Sequence, residues 1–551
     1  MGDPKTNFLV RMLPSLTDIA FILPVVLLFA RMDGVKTMLG DGDTGWHVRT
    51  GEWILAHHAI PRQDLFSFTK PDSPWFAWEW LWDVAFAWLH LHGGLAAVVT
   101  ASILLICLTF ALLFQLLIRN CKNRLVALLV TFLVVGGSSV HWLARPHLFT
   151  MFFVVVWLAI IDKNEKGGSR LIWLLPPLTV LWTNLHGGFF VGILLTGTYA
   201  VGKLIETLFV EDPKQRVTQI RSSGRYFLVT VASAVASLVN PYTYHLHRHI
   251  LEYLTDTKQL ENISEFQSLS FHAPSAIFLE IMLALAIVAA THHARQKRFT
   301  AVLLIAGWAH LALMASRNIP LFLLISAPFV ASALSDFLKA VREKSTSLPA
   351  WMTTAFQSLH EISEEVTVVD RPWRIHTGAL ATALLLCTMI SVHAQAFRLR
   401  AEYDPKRYPA AALRLLVPGA VHRRIFCDDE WGDYLAYQLY PAGRVFIDGR
   451  SDFYGAQFGQ DYEDIVGVKY DWETKLDRYH VDTLLLSPNS AMAGAVKQSA
   501  RWKIVYDDGT AILFEAAPNN RISANGSKDG ADQILLGIAR VDTLNFKRTK
   551  R

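Results

Sequence analysis

Charge is what this sequence has least of. Only 18% of its 551 residues are Asp, Glu, Lys or Arg while 52% are hydrophobic, and since soluble domains carry about 25% charged residues, this argues against a soluble multidomain protein. The net charge of +5 is small for the length, and its basic residues sit in short loops, so no nucleic-acid surface is expected. Cysteine is nearly absent. Cys107, Cys121, Cys387 and Cys427 lie far apart, two of them in apolar runs, which leaves neither a disulfide framework nor a CxxC metal knuckle. A signal-peptide cleavage site is also missing: no small-residue pattern separates the first apolar run from the polar loop behind it, so that run reads as an uncleaved span.

Long apolar runs are what the chain has most of. A helix that crosses hydrocarbon needs roughly 20 mostly apolar residues, and such runs lie near 14–32, 93–118, 124–142, 146–161, 171–184, 187–209, 226–240, 275–291, 299–315, 318–336 and 374–394. The expected class is therefore a polytopic α-helical membrane protein with about eleven spans. Lysine and arginine orient it. One set of connections, with Arg119, Lys163, Arg221, Lys297 and Arg342 among its members, holds eighteen basic residues. The alternate set, after the first large loop, holds only Arg145, Arg248, Lys258 and Arg317. The positive-inside rule then puts the N-terminus in the cytoplasm and the first loop and C-terminal part outside.

The first external loop, residues 33–92, concentrates the polar chemistry. Its stretch Asp41–Asp83 carries Asp41, Asp43, His47, Glu52, His57, His58, Asp64, Glu79 and Asp83 beside a membrane, where a desolvated charge is costly unless paired, hydrated or used. Trp46, Trp53, Trp75, Trp78, Trp80, Trp82 and Trp88 read mostly as anchors of helices lying at the bilayer surface. His57 and His58 read as ordinary interface residues. Other external connections add Arg145 and His147 (ARPH), His186 (NLHGG), and Arg317 and Asn318 (SRN).

These residue types suit one chemistry. Asp43 can serve as a general base, with Asp41 and His47 orienting it, or Asp41, Asp43 and His47 can ligate a divalent metal ion. An arginine at a face where positive charge is depleted suits a phosphate, which guanidinium grips with two parallel hydrogen bonds. Arg145 and Arg317 are the candidates, with His147, His186 and Asn318 around the substrate and Glu79 in support.

From about residue 398 the hydropathy falls. Apolar runs at 424–427, 444–447, 482–487, 502–506 and 511–516 read as strands alternating with helices, which predicts a small α/β domain over 398–517 closed by a hairpin at Asp508 and Gly509. Asp448 and Arg450 in FIDGRSDFYG read as an ion pair in a tight turn. Residues 518–551 read as a mobile polar tail with a short helix at 531–540.

An uncleaved first span, an external loop opening on Asp41 and Asp43 in GDTGWH, some ten further spans and an outer C-terminal domain resemble the GT-C membrane glycosyltransferases. The resemblance is to protein O-mannosyltransferases, aminoarabinose transferases and oligosaccharyltransferase catalytic subunits. It covers about residues 14–394 of the expected membrane domain 1–397 by architecture, and GDTGWH alone by motif. It implies a glycosyltransferase of hexosyltransferase type in a bacterial inner or plasma membrane, taking sugar from a polyprenyl-phosphate-linked donor to a glycan, lipid or protein acceptor. Two other classes stay open: a transporter or flippase of lipid-linked glycans, disfavoured by the lack of mid-span charge and of internal repeats, and a metal-dependent lipid-head hydrolase or phosphotransferase.

Overall fold

The computed structural model describes residues 11–343, 350–370, 374–391 and 398–517. The tail from 518 and the helix expected at 531–540 lie outside these described residues. Each of the eleven apolar runs overlaps a helix, the form that satisfies every backbone N–H and C=O within one segment. Six helices are long and apolar enough to cross a membrane: Trp80–Cys121, Arg124–His141, His147–Gly167, Gly187–Phe209, Ala276–Arg295 and Ser316–Glu343. Phe299–Met314 and Thr377–Ser391 are apolar but shorter. Length and hydropathy thus support six crossings among the described residues.

The Trp80–Cys121 helix is the spine of the bundle, packing against Leu16–Arg31, Arg124–Ser138, His147–Gly167 and Ile319–Glu343. It kinks at Gly94, whose φ of +62° is a conformation that glycine adopts without a Cβ penalty. The kink separates an aromatic, partly polar helical segment, residues 80–93, from the apolar run beyond it. Phe110, Phe114, Trp157 and Trp182 are fully buried within the bundle, where close van der Waals packing holds the helices together.

The C-terminal part forms a four-stranded sheet of β1 (Ile425–Phe426), β2 (Thr483–Leu486), β3 (Trp502–Asp507) and β4 (Ile512–Ala516), in the order β1-β2-β4-β3. β1 runs parallel to β2, with Phe426 opposite Leu484. β4 is antiparallel to both of its neighbours, pairing Phe514 with Leu484 and with Ile504. The hairpin turn is set by Asp508, whose Oδ1 accepts from the N–H groups of Thr510 and Ala511. One expected strand is corrected. Residues 444–447 form only bridges, Val445 meeting Ser67 and Ile425, because this segment joins the first loop to the sheet edge instead of extending a ladder.

Three of the seven loop tryptophans depart from the expectation. Trp46, Trp75 and Trp82 are buried, whereas Trp88 is 54% exposed. The reason is that the loop has a protein partner: Trp46, Phe66 and Trp75 share one apolar cluster with Phe426, Phe446 and Tyr454. The loop helix Asp43–His57 packs on the Trp80–Cys121 helix from one side and on Asp429–Leu439 from the other. Arg450 rivets this joint. Its Nη2 lies 2.7 Å from Asp64 and 2.6 Å from Asp448, and its guanidinium carbon lies 4.7 Å from the Trp75 ring centroid. The expected Asp448–Arg450 pair is therefore present, with Asp64 of the loop as its third member.

Candidate active site

Local sequence places the acids. The Asp41 carboxylate accepts the Asp43 backbone N–H at 2.8 Å, a turn that Asx residues favour and that opens the helix Asp43–His57. Asp43 then stands in the first helical turn, where negative charge is favoured. Trp46 and His47, three and four residues on, share its face. Trp46 Nε1 donates to Asp43 Oδ1 at 3.1 Å. The helix is stapled to the ARPH turn by Thr44, whose hydroxyl donates to the Ala144 carbonyl, and Arg145 thereby reaches both acids: Nη1 is 2.8 Å from Asp41 and Nη2 is 2.5 Å from Asp43.

A second acid, Glu79, lies between two imidazoles. His47 Nε2 is 3.4 Å from Glu79 and His186 Nε2 is 3.5 Å from it. His47 Nδ1 meets Asp83 at 2.6 Å. His186 Nδ1 accepts from the Gly188 N–H at 2.9 Å and lies 2.7 Å from the Thr150 hydroxyl, which leaves its proton on Nε2, facing Glu79. Burial pushes Asp43 up to about 7 against the pull of Arg145, and burial pushes Glu79 up to about 8. His47 is held well below the usual imidazole range, by burial first and Arg145 next, so its ring is neutral.

Eight of the nine residues expected at the site line one cavity of about 400 Å³: Asp43, His47, Glu79, Arg145, His147, His186, Arg317 and Asn318. Asp41 is the ninth and joins them through Arg145. Phe190, Val191, Leu194, Ile250, Trp308 and Leu311 form an apolar wall of the same cavity. His147 Nε2 lies 2.8 Å from the His141 carbonyl, and the Asn318 amide donates to the Leu311 carbonyl, so both brace the cavity wall. His57 and His58 are exposed and lie apart from it, as expected.

Sequence reasoning missed Glu265, His141 and Asp433. Glu265 Oε1 is 3.3 Å from Arg317, and only its place in the polar connection before the Ala276–Arg295 helix could have flagged it. Asp433, from EWGDYL, accepts the Gly449 N–H at 2.7 Å. A Cβ on Gly449 would lie 2.4 Å from Asp43 Oδ1 and 2.8 Å from Asp433 Oδ2, so the absent side chain is what lets the two carboxylates flank that turn. Asp41, Asp43 and Asp433 each offer an oxygen, all within 4.8 Å of one another. His47, expected in that set, instead directs its nitrogens to Asp83 and Glu79.

No protein-family model matches the chain, and no curated protein sequence matches it. Solved structures do. The archaeal oligosaccharyltransferase AglB from Archaeoglobus fulgidus, in complex with an inhibitory peptide and a dolichol-phosphate, aligns with a TM-score of 0.50 at 10% identity, over 93% of this chain and 75% of that one. The apo form of the Archaeoglobus fulgidus oligosaccharyltransferase aligns with a TM-score of 0.50 at 11% identity, over 85% of this chain and 69% of the other. With its acidic loop helix packed between a helical bundle and a sheet-bearing C-terminal part, this chain shares the fold of these oligosaccharyltransferase structures.

Proposed function

We propose that this protein is an integral-membrane glycosyltransferase moving a sugar from a polyprenyl-phosphate-linked donor to an acceptor hydroxyl on the extracytoplasmic side. One observation carries this reading: a single cavity holds a buried carboxylate, an arginine and an apolar wall, which together suit an acceptor proton, a phosphate and a prenyl chain. Asp43 takes the acceptor's proton as the hydroxyl oxygen bonds to the anomeric carbon. The bond from that carbon to the phosphate oxygen breaks, and its electron pair leaves with the polyprenyl phosphate. Arg317 meets that charge. Arg145, already held by two carboxylates, keeps Asp43 aimed. Glu79 stays protonated near neutral pH and donates to sugar oxygens, with His47 and His186 fixing its position.

Asp41 and Asp43 share the Arg145 guanidinium, and with Asp433 they form an oxygen-only set that fits a divalent cation. Bound there, such an ion would supply positive charge beside the departing phosphate. The lipid-head hydrolase reading is less well supported, because the imidazoles it would use as ligands are engaged with Asp83, Glu79 and Thr150.

Arg317→Ala is the direct test. Losing a charge-assisted grip on phosphate should weaken binding of a polyprenyl phosphate to the purified protein roughly ten- to a hundredfold and lower transfer with it; unchanged binding would remove Arg317 from the donor site. Orientation is tested separately. Reporters fused after Gly168 or Gln296 should be cytoplasmic and those after Ser268 or Ser451 external, and a cytoplasmic Ser451 fusion would overturn the sidedness of the site.

A further inference from the structure

We propose that Glu265 competes with the donor's phosphate for Arg317, so that the lipid-linked donor enters, and the polyprenyl phosphate leaves, by exchange with this carboxylate. The inference rests on the glycosyltransferase reading above. Among the described residues Arg317 has one carboxylate partner, Glu265, at 3.3 Å, whereas Arg145 has two at 2.8 and 2.5 Å. The other Glu265 oxygen lies 3.8 Å from His141 Nε2, so the carboxylate sits among the cationic and imidazole groups that a phosphate would seek.

Glu265 is presented there by backbone bonds as well as by charge. The Ser316 N–H donates to the Gln267 carbonyl at 2.9 Å, the Ser316 hydroxyl donates to the Glu265 carbonyl at 3.1 Å, and the Phe266 ring lies 4.5 Å from the Arg317 guanidinium carbon. Burial opposes the Glu265 charge, but Arg317 and Arg145 outweigh it and hold the carboxyl below its usual range. Glu265 is therefore an anion throughout the neutral range.

The pair suits exchange because it is neither fully buried nor fully open: the Arg317 and Glu265 side chains are 28% and 22% exposed. The donor's phosphodiester carries one negative charge, as a carboxylate does, and takes two guanidinium bonds in the same way, so it wins the arginine through the added burial of its prenyl chain on the apolar wall. When the sugar has gone, Glu265 offers Arg317 a partner again, which lowers the cost of releasing the product. Such a competitor weakens ground-state binding of donor and product alike and speeds turnover where release is slow.

Glu265→Gln in the full-length purified protein tests this with polyprenyl phosphate as the probe. It should bind roughly fivefold tighter than wild type, the upper range for a partly exposed ion pair, with steady-state kcat reduced. Glu265→Asp keeps the charge and should track wild type, which separates charge from folding. Equal or weaker binding by a folded Glu265→Gln would overturn the proposal. If instead wild type fails to bind polyprenyl phosphate, or Arg317→Ala binds it equally well, the donor-site reading falls and this inference with it.

Discussion

Asp43→Asn should lower sugar transfer by about 10²–10⁴-fold, the range that positioned general-base catalysis supplies, while polyprenyl phosphate binding stays near wild type. The substitution keeps the shape that accepts from Trp46 Nε1 and removes the ability to take a proton together with the charge that pairs with Arg145. The pH profile carries the same signature. Burial pushes Asp43 up to about 7, so the wild-type rate should rise as pH climbs through about 7 and the carboxyl ionises. Stability moves the other way: a carboxyl whose folded pKa lies above its ordinary 3.8 binds more protons folded than unfolded, and so weakens the fold as pH rises from about 4 to about 7. Asp43→Asn should therefore unfold at no lower a temperature than wild type at pH 8, Arg145 retaining Asp41 as a partner. Thermal unfolding beside a transfer assay separates lost chemistry from lost fold. Near-normal transfer by Asp43→Asn with none by Asp41→Asn would reverse the roles within the pair.

Arg450→Met should cost about 3–5 kcal/mol of stability, the penalty for leaving buried carboxylates without their cation. The side chains of Arg450, Asp64 and Asp448 are at most 1% exposed, so water cannot replace the guanidinium. Asp64 keeps bonds from the Phe66 and Ser67 N–H groups and the Ser67 hydroxyl. Asp448 keeps the Tyr454 hydroxyl and the backbone N–H of residue 450, and is the worse stranded of the two. Adding Asp448→Asn to Arg450→Met should accordingly restore part of the loss. Tryptophan fluorescence reads the joint directly, since Trp46 and Trp75 both border it; an unshifted unfolding transition in Arg450→Met would show that the triad does not hold the loop and the C-terminal part together.

What the chain declares locally is extensive, because its signals are short-range. Runs of apolar residues marked the helices, since period and length act within one segment, and four of five expected strands formed where apolar runs alternate with turn residues. The polar residues of the connections were legible as types in short loops, and tertiary folding gathered eight of the nine candidates around one cavity. Other features had no local signature. Trp46 and Trp75 carry the composition of membrane-surface anchors, and only the docking of residues 426–454 against them made them core. Asp433 lies 390 residues from Asp43 and Glu265 lies 52 residues from Arg317; no periodicity links such positions. Which arginine stays free enough for phosphate was equally undecidable, because the answer depends on how many carboxylates the fold places beside each guanidinium. Sequence by itself determined segments and the residue types at their ends, both short-range properties of the chain. Tertiary structure alone decided the pairings, since a charge's partner and a ring's burial are set by contacts between segments distant in the chain.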